Sequence, residues 1–484
     1  VTMSHLRART TVLVGALAVL AACSGPSEPA VTQTRDVGVQ LFQWTWDAVA
    51  TECTEALGPA GYAWVLTGPP QEHIVGEQWW TAYQPVSHRV ESRLGTREQY
   101  AAMVETCHEA GVDVWADAVV NHMTGQDAPG TGWAGSPYAH YEYPGLYSEA
   151  DFHHCGLTPN DDIALYQDAH QVQTCELVNL ADLATGTAHV RATVVAYLED
   201  LLSLGVDGFR IDAAKHMAPQ DVAAIVAELP EGTGIAQEVI RGSGEPVTPE
   251  QYVGNGKVYE FAYGRELQGV LAGAPGRALE LGTSSQVLPT DDAVVFVDNH
   301  DTERNGSTLS YADAEQYALA NVLMLAGTYG TPAVYSGYAF SDRDAGPPQD
   351  ADGRVLDASC REAGPRVDLA DGDWVCQHRW TPIAGMVGWR NVVGDAPMVD
   401  AWSDGDAVAV GRGERGLVVV NLGDEPLDTT LSTSLPDGRY CDVLGLPVAA
   451  GEACPGAAIR VEDGSVAVVV PPLSAQAFHV AARP

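Results

Sequence analysis

Lysine is nearly missing from this chain: Lys215 and Lys257 are the two that occur in 484 residues. Lysine and arginine together bring 25 positive charges against 64 Asp and Glu, a net charge of -39. A surface of that sign repels the phosphates of nucleic acid and of anionic lipid, and favours neutral or cationic partners. No Cys-x-x-Cys pair occurs, which removes the spacing expected of a zinc site or a thioredoxin-like redox site. The N-terminal apolar run Thr11–Ala22 is too short to span a bilayer as a helix. No internal repeat is visible. What is present is an ordinary globular composition, 46% apolar, in a chain long enough for more than one domain.

The first residues read as a targeting segment. Arg7 and Arg9 precede the run Thr11–Ala22, the layout of a secretory signal peptide. Leu20-Ala21-Ala22-Cys23 then resembles the bacterial lipobox, in which the cysteine is lipidated and becomes the mature N-terminus. Residues 1–23 are therefore assigned to a signal peptide with lipobox, and the polar, Pro-containing residues 24–35 to a tether. A secreted or extracellular protein is expected, either anchored to the membrane as a lipoprotein through Cys23 or freely released by simple cleavage nearby. Setting Cys23 aside leaves eight of the nine cysteines, an even number that suits an oxidising compartment. Spacing alone leaves every pairing of the eight open.

Between Val37 and Trp389, short β-branched runs alternate with helical stretches. The candidate strands are Val37–Leu41, Tyr62–Leu66, Val112–Val119, Val206–Ile211, Gly234–Gln237, Lys257–Glu260, Val294–Val297 and Thr331–Tyr335. Stretches such as Arg97–Ala110 and His189–Leu204 carry apolar residues at helical spacing. This pattern predicts an α/β fold, a (β/α)8 barrel formed by residues 36–121 and 181–390. Residues 122–180 break the rhythm with Gly, Tyr, Pro and Asp, and read as a domain inserted after the third strand. From 391 to 484 the β-type runs Ala407–Val410, Gly416–Asn421 and Gly464–Val470 predict a C-terminal antiparallel β-sandwich.

Active sites of such barrels sit at the C-terminal ends of the strands. Four of those ends carry polar groups that a barrel core does not need. The third runs into Asp117-Ala118-Val119-Val120-Asn121-His122, and the fourth into Gly208-Phe209-Arg210-Ile211-Asp212. The fifth ends in Gln237-Glu238, and the seventh in Phe296-Val297-Asp298-Asn299-His300-Asp301. Arg210 and Asp212 lie two apart on a strand and share a face, so the arginine is expected to lower the pKa of Asp212 and keep it ionised. Glu238, in a less polar spot near other carboxylates, would hold its proton and could donate it. Two such carboxyl groups are the equipment of glycoside hydrolysis. A lone acid at a strand end is more often a cap or an ion-pair partner than a catalyst. The joint placement of Asp212, Glu238 and Asp301 reverses that reading. Asp117 and Asp298 read as hydrogen-bonding supports, His153 and His154 as exposed polar residues, and Trp44, Trp46, Trp115 and Trp389 as core.

These four segments resemble the four sequence regions of the α-amylase family, glycoside hydrolase family 13. Gly208–Met217 and Phe296–Asp301 are similar especially to the animal and actinobacterial members. Trp79-Trp80-Thr81-Ala82-Tyr83-Gln84-Pro85-Val86, Gln377-His378-Arg379-Trp380, Arg390-Asn391-Val392-Val393 and Gly411-Arg412-Gly413 extend the likeness over nearly the whole mature chain. The resemblance implies retaining endo-hydrolysis of α-1,4-glucosidic bonds in starch, glycogen and related glucans. It makes Asp212 the nucleophile, Glu238 the acid and base, and Asp301 the third acid. It places Trp79, Trp80 and Tyr83 under glucose rings, His122 and His300 on the sugar at the cleavage point, Arg210 beside Asp212, and Lys215 and His216 on the leaving-group side.

The resemblance also implies calcium, held by Asn121, Asp182 and the backbone carbonyls of Gln173 and His216, all hard oxygen donors. Chloride, which some members bind, has matching positions at Arg210 and Asn299, but Ala339 stands where a second arginine is expected, so weak or absent chloride activation follows. The family pattern pairs Cys53 with Cys107, Cys155 with Cys175, Cys360 with Cys376 and Cys441 with Cys454, and implies a monomer. A metal-dependent hydrolase on the same barrel would need His-x-His on the first strand, where Gln40-Leu41-Phe42-Gln43 has none. A non-catalytic glucan-binding relative would typically lack one of the three acids. A glucan transferase of the same family stays open as an alternative.

Overall fold

The computed structural model describes residues 34–484 except 284–286, 361–363, 366–367 and 446–452. The signal peptide, Cys23 and nearly all of the tether lie outside the described residues. Eight parallel strands close into a barrel: β1 Gly38–Leu41, β2 Trp64–Thr67, β3 Asp113–Ala118, β4 Gly208–Ile211, β5 Gly234–Gln237, β6 Lys257–Tyr259, β7 Ala293–Val295 and β8 Thr331–Ser336. Each pairs with its neighbours in sequence, and β8 pairs with β1 through Gly38↔Ala333 to Leu41↔Ser336. β1, β2, β4 and β7 are buried at every position, as expected of strands covered on both faces.

The sequence pattern and the strands agree to within about two residues at most ends. The alternation fails once. Between β5 and β6 there is no α-helix, just the 3-10 turns Pro249–Gln251 and Val253–Asn255. Gly242, Gly244, Pro246 and Pro249 in this interval oppose a regular helix.

The segment after β3 holds a two-stranded ribbon, Gly130–Thr131 with Pro137–Tyr138, a short helix Ala169–Thr174, and isolated bridges. The bridge His122↔Asp182 closes its base against the barrel. Beyond the last barrel helix, Thr381–Val393, two four-stranded antiparallel sheets face each other. The first orders β9 Met398–Asp404, β10 Ala407–Arg412, β11 Gly416–Asn421 and β16 Ser474–His479. The second orders β12 Leu427–Ser432, β15 Ser465–Val470, β14 Ala458–Glu462 and β13 Gly438–Cys441. Leu417, Val419 and Phe478 of one sheet share a core with Leu431, Val461 and Val468 of the other. Arg412 ties this domain to the barrel by donating to the carbonyls of Ala326 (3.1 Å) and Gly327 (2.9 Å).

The four cysteine pairs implied by the family resemblance are the four disulfides formed: Cys53–Cys107, Cys155–Cys175, Cys360–Cys376 and Cys441–Cys454. The second lies within the inserted segment, where it closes a loop with a sequence separation of 20. By the chain-entropy account a loop of that length contributes about 3 kcal/mol.

Candidate active site

A cleft of about 410 Å³ opens at the C-terminal end of the barrel. Asp212, Glu238 and Asp301 all line it, with Trp79, Trp80, Tyr83, His122, Lys215, His216 and His300. Arg210 is expected among the substrate-binding residues, yet it is 2% exposed and lies beneath the cleft. Its guanidinium reaches Asp117 at 2.5 Å, Asp212 at 2.9 Å and Glu238 at 2.7 Å. Three carboxyl groups from three adjacent strand ends therefore share one cation.

Local backbone geometry aims the acids. Asp212 follows the last residue of β4, and its N–H donates to Ala118 O, which keeps it in register with β3. Ala213 then adopts a left-handed conformation, φ 49°, and its N–H donates to Glu238 Oε2 at 2.9 Å. A non-glycine residue in that region is uncommon, and here the contact it makes is with a candidate catalytic carboxyl. Asp301 begins the short helix Thr302–Asn305, with Asn299 Oδ1 accepting from the N–H groups of Asp301 and Thr302 at 3.1 and 2.9 Å. Its side chain is 32% exposed, more open to the cleft than the 9% of Asp212 and Glu238.

The electrostatics correct one expectation. Burial pushes Asp212 up to about 6; Arg210 pulls the other way without prevailing, and Asp117 adds to the rise. Arginine thus lowers the nucleophile candidate as the sequence implies, but loss of water outweighs it. Glu238 is raised by burial and by the charge of Asp212, against Arg210 and the Ala213 N–H. Asp301 is raised by burial and by Glu238 and Asp212. Asp212 and Glu238 share the Arg210 guanidinium, so the proton state of each depends on the charge of the other.

The three cleft histidines, His122, His216 and His300, are all lowered by burial and neutral. Burial brings His122 down to about 4, and its Nε2 donates to Tyr83 O at 3.0 Å. His300 is lowered by burial and then by Arg210 and Arg304. Its ring is stacked between Phe42 (4.8 Å) and Tyr83 (5.1 Å). Lys215 donates to Ile240 O at 2.8 Å, pairs with Glu245, and lies 5.4 Å from the Tyr166 ring centroid. His216 Nδ1 donates to Val172 O at 3.0 Å.

Asn121 and Asp182 are brought together by the His122↔Asp182 bridge, and both are 1% exposed. Asn121 Oδ1 is buried without a hydrogen-bond partner, as an amide oxygen reserved for a cation would be. The His216–Val172 bond sets residue 216 against the strand of chain that carries Gln173. His153 is a correction: it is half-buried, and its Nδ1 lies 2.6 Å from Asp182 Oδ2. A side chain that hydrogen-bonds a buried carboxylate from a distant part of the sequence is invisible to spacing. Another cluster with metal-ligand chemistry among the described residues, Glu52, Cys360 and His378, is unsuitable because Cys360 is in a disulfide.

Asp117 and Asp298 act as the supports expected: Tyr83 donates to Asp117 at 2.8 Å and Tyr317 to Asp298 at 2.8 Å. Trp44, Trp46 and Trp389 are core, and Trp115 is partly buried against Trp64. Sequence reasoning missed Tyr166, Leu177, Leu180, Ile240 and Gln84 in the cleft wall, and Glu245 on Lys215. Of these, Gln84 alone carried a signal, since it sits inside the Trp79–Val86 motif.

A family profile described as "Alpha amylase, catalytic domain" matches residues 79–241, and one described as "Alpha amylase, C-terminal all-beta domain" matches residues 402–481. The chain is similar to an alpha-amylase of Streptomyces violaceus, 46% identical over 434 residues that cover 89% of this chain and 73% of the relative. It is also similar to an alpha-amylase of Tenebrio molitor, 38% identical over 450 residues, 89% of this chain and 93% of that one. Among solved structures, wild-type alpha-amylase I of Eisenia fetida matches with a TM-score of 0.85 at 34% identity, covering 92% of this chain and 97% of its own. A mutant of that enzyme, in a maltohexaose complex, matches with the same TM-score at 33% identity.

Proposed function

This chain belongs to the α-amylase family and hydrolyses α-1,4-glucans, and from that premise we propose how its own residues carry the reaction. Protonated Glu238 gives its proton to the glycosidic oxygen as ionised Asp212 attacks the anomeric carbon, forming a glycosyl-enzyme and releasing the reducing-side fragment. Glu238, now a carboxylate, takes a proton from water, which attacks the same carbon and frees Asp212. Two inversions return the α-configuration. The observation that carries this reading is the shared Arg210 guanidinium, 2.9 Å from Asp212 and 2.7 Å from Glu238. Two carboxyl groups held on one guanidinium are close together, which suits a retaining enzyme rather than an inverting one with its intervening water. Asp301, at the cleft surface, holds the sugar hydroxyls during ring distortion.

Trp79, Trp80 and Tyr83 offer ring faces to glucose, His122 and His300 hydrogen-bond the sugar at the cleavage point, and Lys215 and His216 meet the leaving side. The maltohexaose complex of the Eisenia relative supports a glucan lying in this cleft. Calcium is commonly bound in this family, and Asn121, Asp182 and the carbonyls of Gln173 and His216 would hold it here. The ion would supply fixed charge at the junction of insert and barrel. The partnerless Asn121 Oδ1 supports that set. Chloride finds Arg210 already engaged by three carboxyl groups and the buried Ala339 in place of a second arginine, so turnover depends weakly on it. No described helix is long and apolar enough to cross a membrane. Export with lipidation at Cys23 completes the reading.

The test is starch hydrolysis by purified protein with Glu238→Gln alongside, and proton NMR of the first products. The α-anomer first and a loss of at least about a thousandfold in the variant are expected. Undiminished hydrolysis by Glu238→Gln would sink the assignment, and transfer products in place of hydrolysis would move the chain to the transferases.

A further inference from the structure

Trp79 opens the 3-10 turn Trp79–Tyr83 at the cleft wall, and three separate attachments converge on it. Its indole Nε1 donates to Arg343 O at 3.0 Å. Its carbonyl accepts from Arg93 Nη2 at 3.2 Å, while Arg93 Nη1 donates to Gly76 O (3.3 Å) and Gln78 O (3.1 Å) just before it. Its ring lies 5.3 Å from the Arg304 guanidinium.

Both arginines are placed oddly for stability alone. Arg93 is 1% exposed, yet its described side-chain hydrogen bonds all run to carbonyl oxygens: the three backbone groups and Gln43 Oε1 at 2.8 Å. Burial brings it down to about 10, so it remains a cation at neutral pH. A buried cation without a carboxylate is poor value as a stabilising device. What it achieves is fixed geometry, since one planar fork holds three carbonyls of the four-residue stretch Gly76–Trp79, which a lysine could not. Arg304, one helical turn beyond His300, donates to His300 O at 3.0 Å and pairs with Glu303. Its Nε and Nη2 have no hydrogen-bond partner among the described residues. The guanidinium carbon instead lies over rings: Phe340 at 4.2 Å, Phe42 at 5.2 Å and Tyr338 at 5.3 Å, besides Trp79.

We propose that Arg93 and Arg304 are positioning residues that lock the Trp79 ring, Arg93 from the backbone side and Arg304 from the ring side, so that the platform is ordered before glucan arrives. The proposal rests on reading Trp79 as a sugar-stacking residue. Pre-ordering places its effect on binding, because a platform that must be ordered by the substrate draws on binding free energy.

The experiment is steady-state kinetics on maltoheptaose with Arg93→Met, Arg304→Met, Arg93→Lys, Trp79→Ala, and each Met variant combined with Trp79→Ala, with melting temperatures in parallel. Each Met variant is expected to raise KM about tenfold with kcat within about threefold. Arg93→Lys recovers part of that loss. Once Trp79 is alanine, neither Met substitution raises KM further. Met variants with a lower melting temperature but unchanged KM, or effects that add fully to Trp79→Ala, overturn the clamp while leaving the platform intact. Unchanged KM in Trp79→Ala overturns the platform reading and the clamp with it. If Arg93→Met fails to fold, Arg93→Lys and Arg304→Met carry the same comparison.

Discussion

Replacing Arg210 with methionine tests the electrostatic core of the site. The side chain keeps its approximate volume, and the cation shared by Asp117, Asp212 and Glu238 disappears. At an effective dielectric of about 20 and a charge separation of roughly 4 Å, each ion pair is worth about 4 kcal/mol. Partial compensation by protonation of Asp117 reduces this, and a rise of about two pKa units in Asp212 and Glu238 is a conservative expectation. Asp212 already stands at about 6. The variant moves it to about 8, so its ionised fraction at pH 7 falls from about nine-tenths to about one-tenth.

The sign follows from the roles. The acid limb of kcat/KM reports the group that must be ionised, Asp212, and the alkaline limb the group that must keep its proton, Glu238. Removing a positive charge raises both, so the whole bell moves to higher pH. The assay is kcat/KM for a soluble maltooligosaccharide from pH 4.5 to 9.5, with circular dichroism confirming the fold and Arg210→Lys as the variant that keeps one charge. At pH 7 the Met variant loses about tenfold from ionisation and up to about a hundredfold more from lost orientation of Asp212. Recovery with rising pH is the distinctive sign. A folded Arg210→Met whose acid limb stays within about 0.3 units of the parent refutes the argument, whatever its absolute rate.

Glu52, 3% exposed, would be raised by burial, but hydrogen bonds from His378 and Arg379 outweigh that and bring it down to about 2. A depressed carboxyl stabilises above its unfolded value of 4.5 and loses that contribution as pH falls towards 2. Glu52→Gln is thus expected to cost about 3 kcal/mol at pH 7, about 3 °C for a chain this long, with the melting curves converging near pH 2; a gap that persists there contradicts the linkage. Chelation is expected to lower the melting temperature by about 3 °C if free calcium is a hundred times its Kd, worth about 2.7 kcal/mol, and to have no effect on Asn121→Ala. Unchanged melting and activity in the parent protein remove calcium from the account. Labelled palmitate should enter the chain expressed in a bacterial host and should not enter Cys23→Ser; label in neither form removes the anchor.

The barrel was legible because strands buried on both faces are near-continuous apolar runs, and Gly234–Gln237 could be placed to the residue. The C-terminal strands Leu427–Ser432 and Ala458–Glu462 escaped detection because they bury one residue (Leu431) and two (Ile459 and Val461) respectively over five or six positions, with too little contrast against loop. The acids were legible as chemistry a core does not need. Tyr166 and His153 were not, since they arrive through the inserted segment, where isolated bridges set the geometry and leave no period to read. The direction of the Asp212 shift was also out of reach, because loss of water depends on what closes over the strand end.

That last point gives the third acid a role which the chemistry alone leaves unassigned. Two carboxyl groups suffice for double displacement. Asp117, Asp212, Glu238 and Asp301 nevertheless surround one Arg210, while Arg304 is already paired with Glu303. Were all four ionised, the group would carry a net charge of about minus three in a site with little water, which is the arrangement that like-charge repulsion opposes most strongly. At least one proton must therefore remain there at neutral pH. Asp212, at about 6, is held ionised by the guanidinium, whereas burial and the charges of Glu238 and Asp212 push Asp301 up to about 8, so Asp301 holds a proton in the free site. Glu238, raised by burial and by the charge of Asp212, is a second position that favours the proton, and the buried Asp117 is raised as well. Sugar hydroxyls that donate to Asp301 would favour its ionised form, and that charge would then hold the proton on Glu238, the proposed general acid, as the anomeric carbon becomes positive.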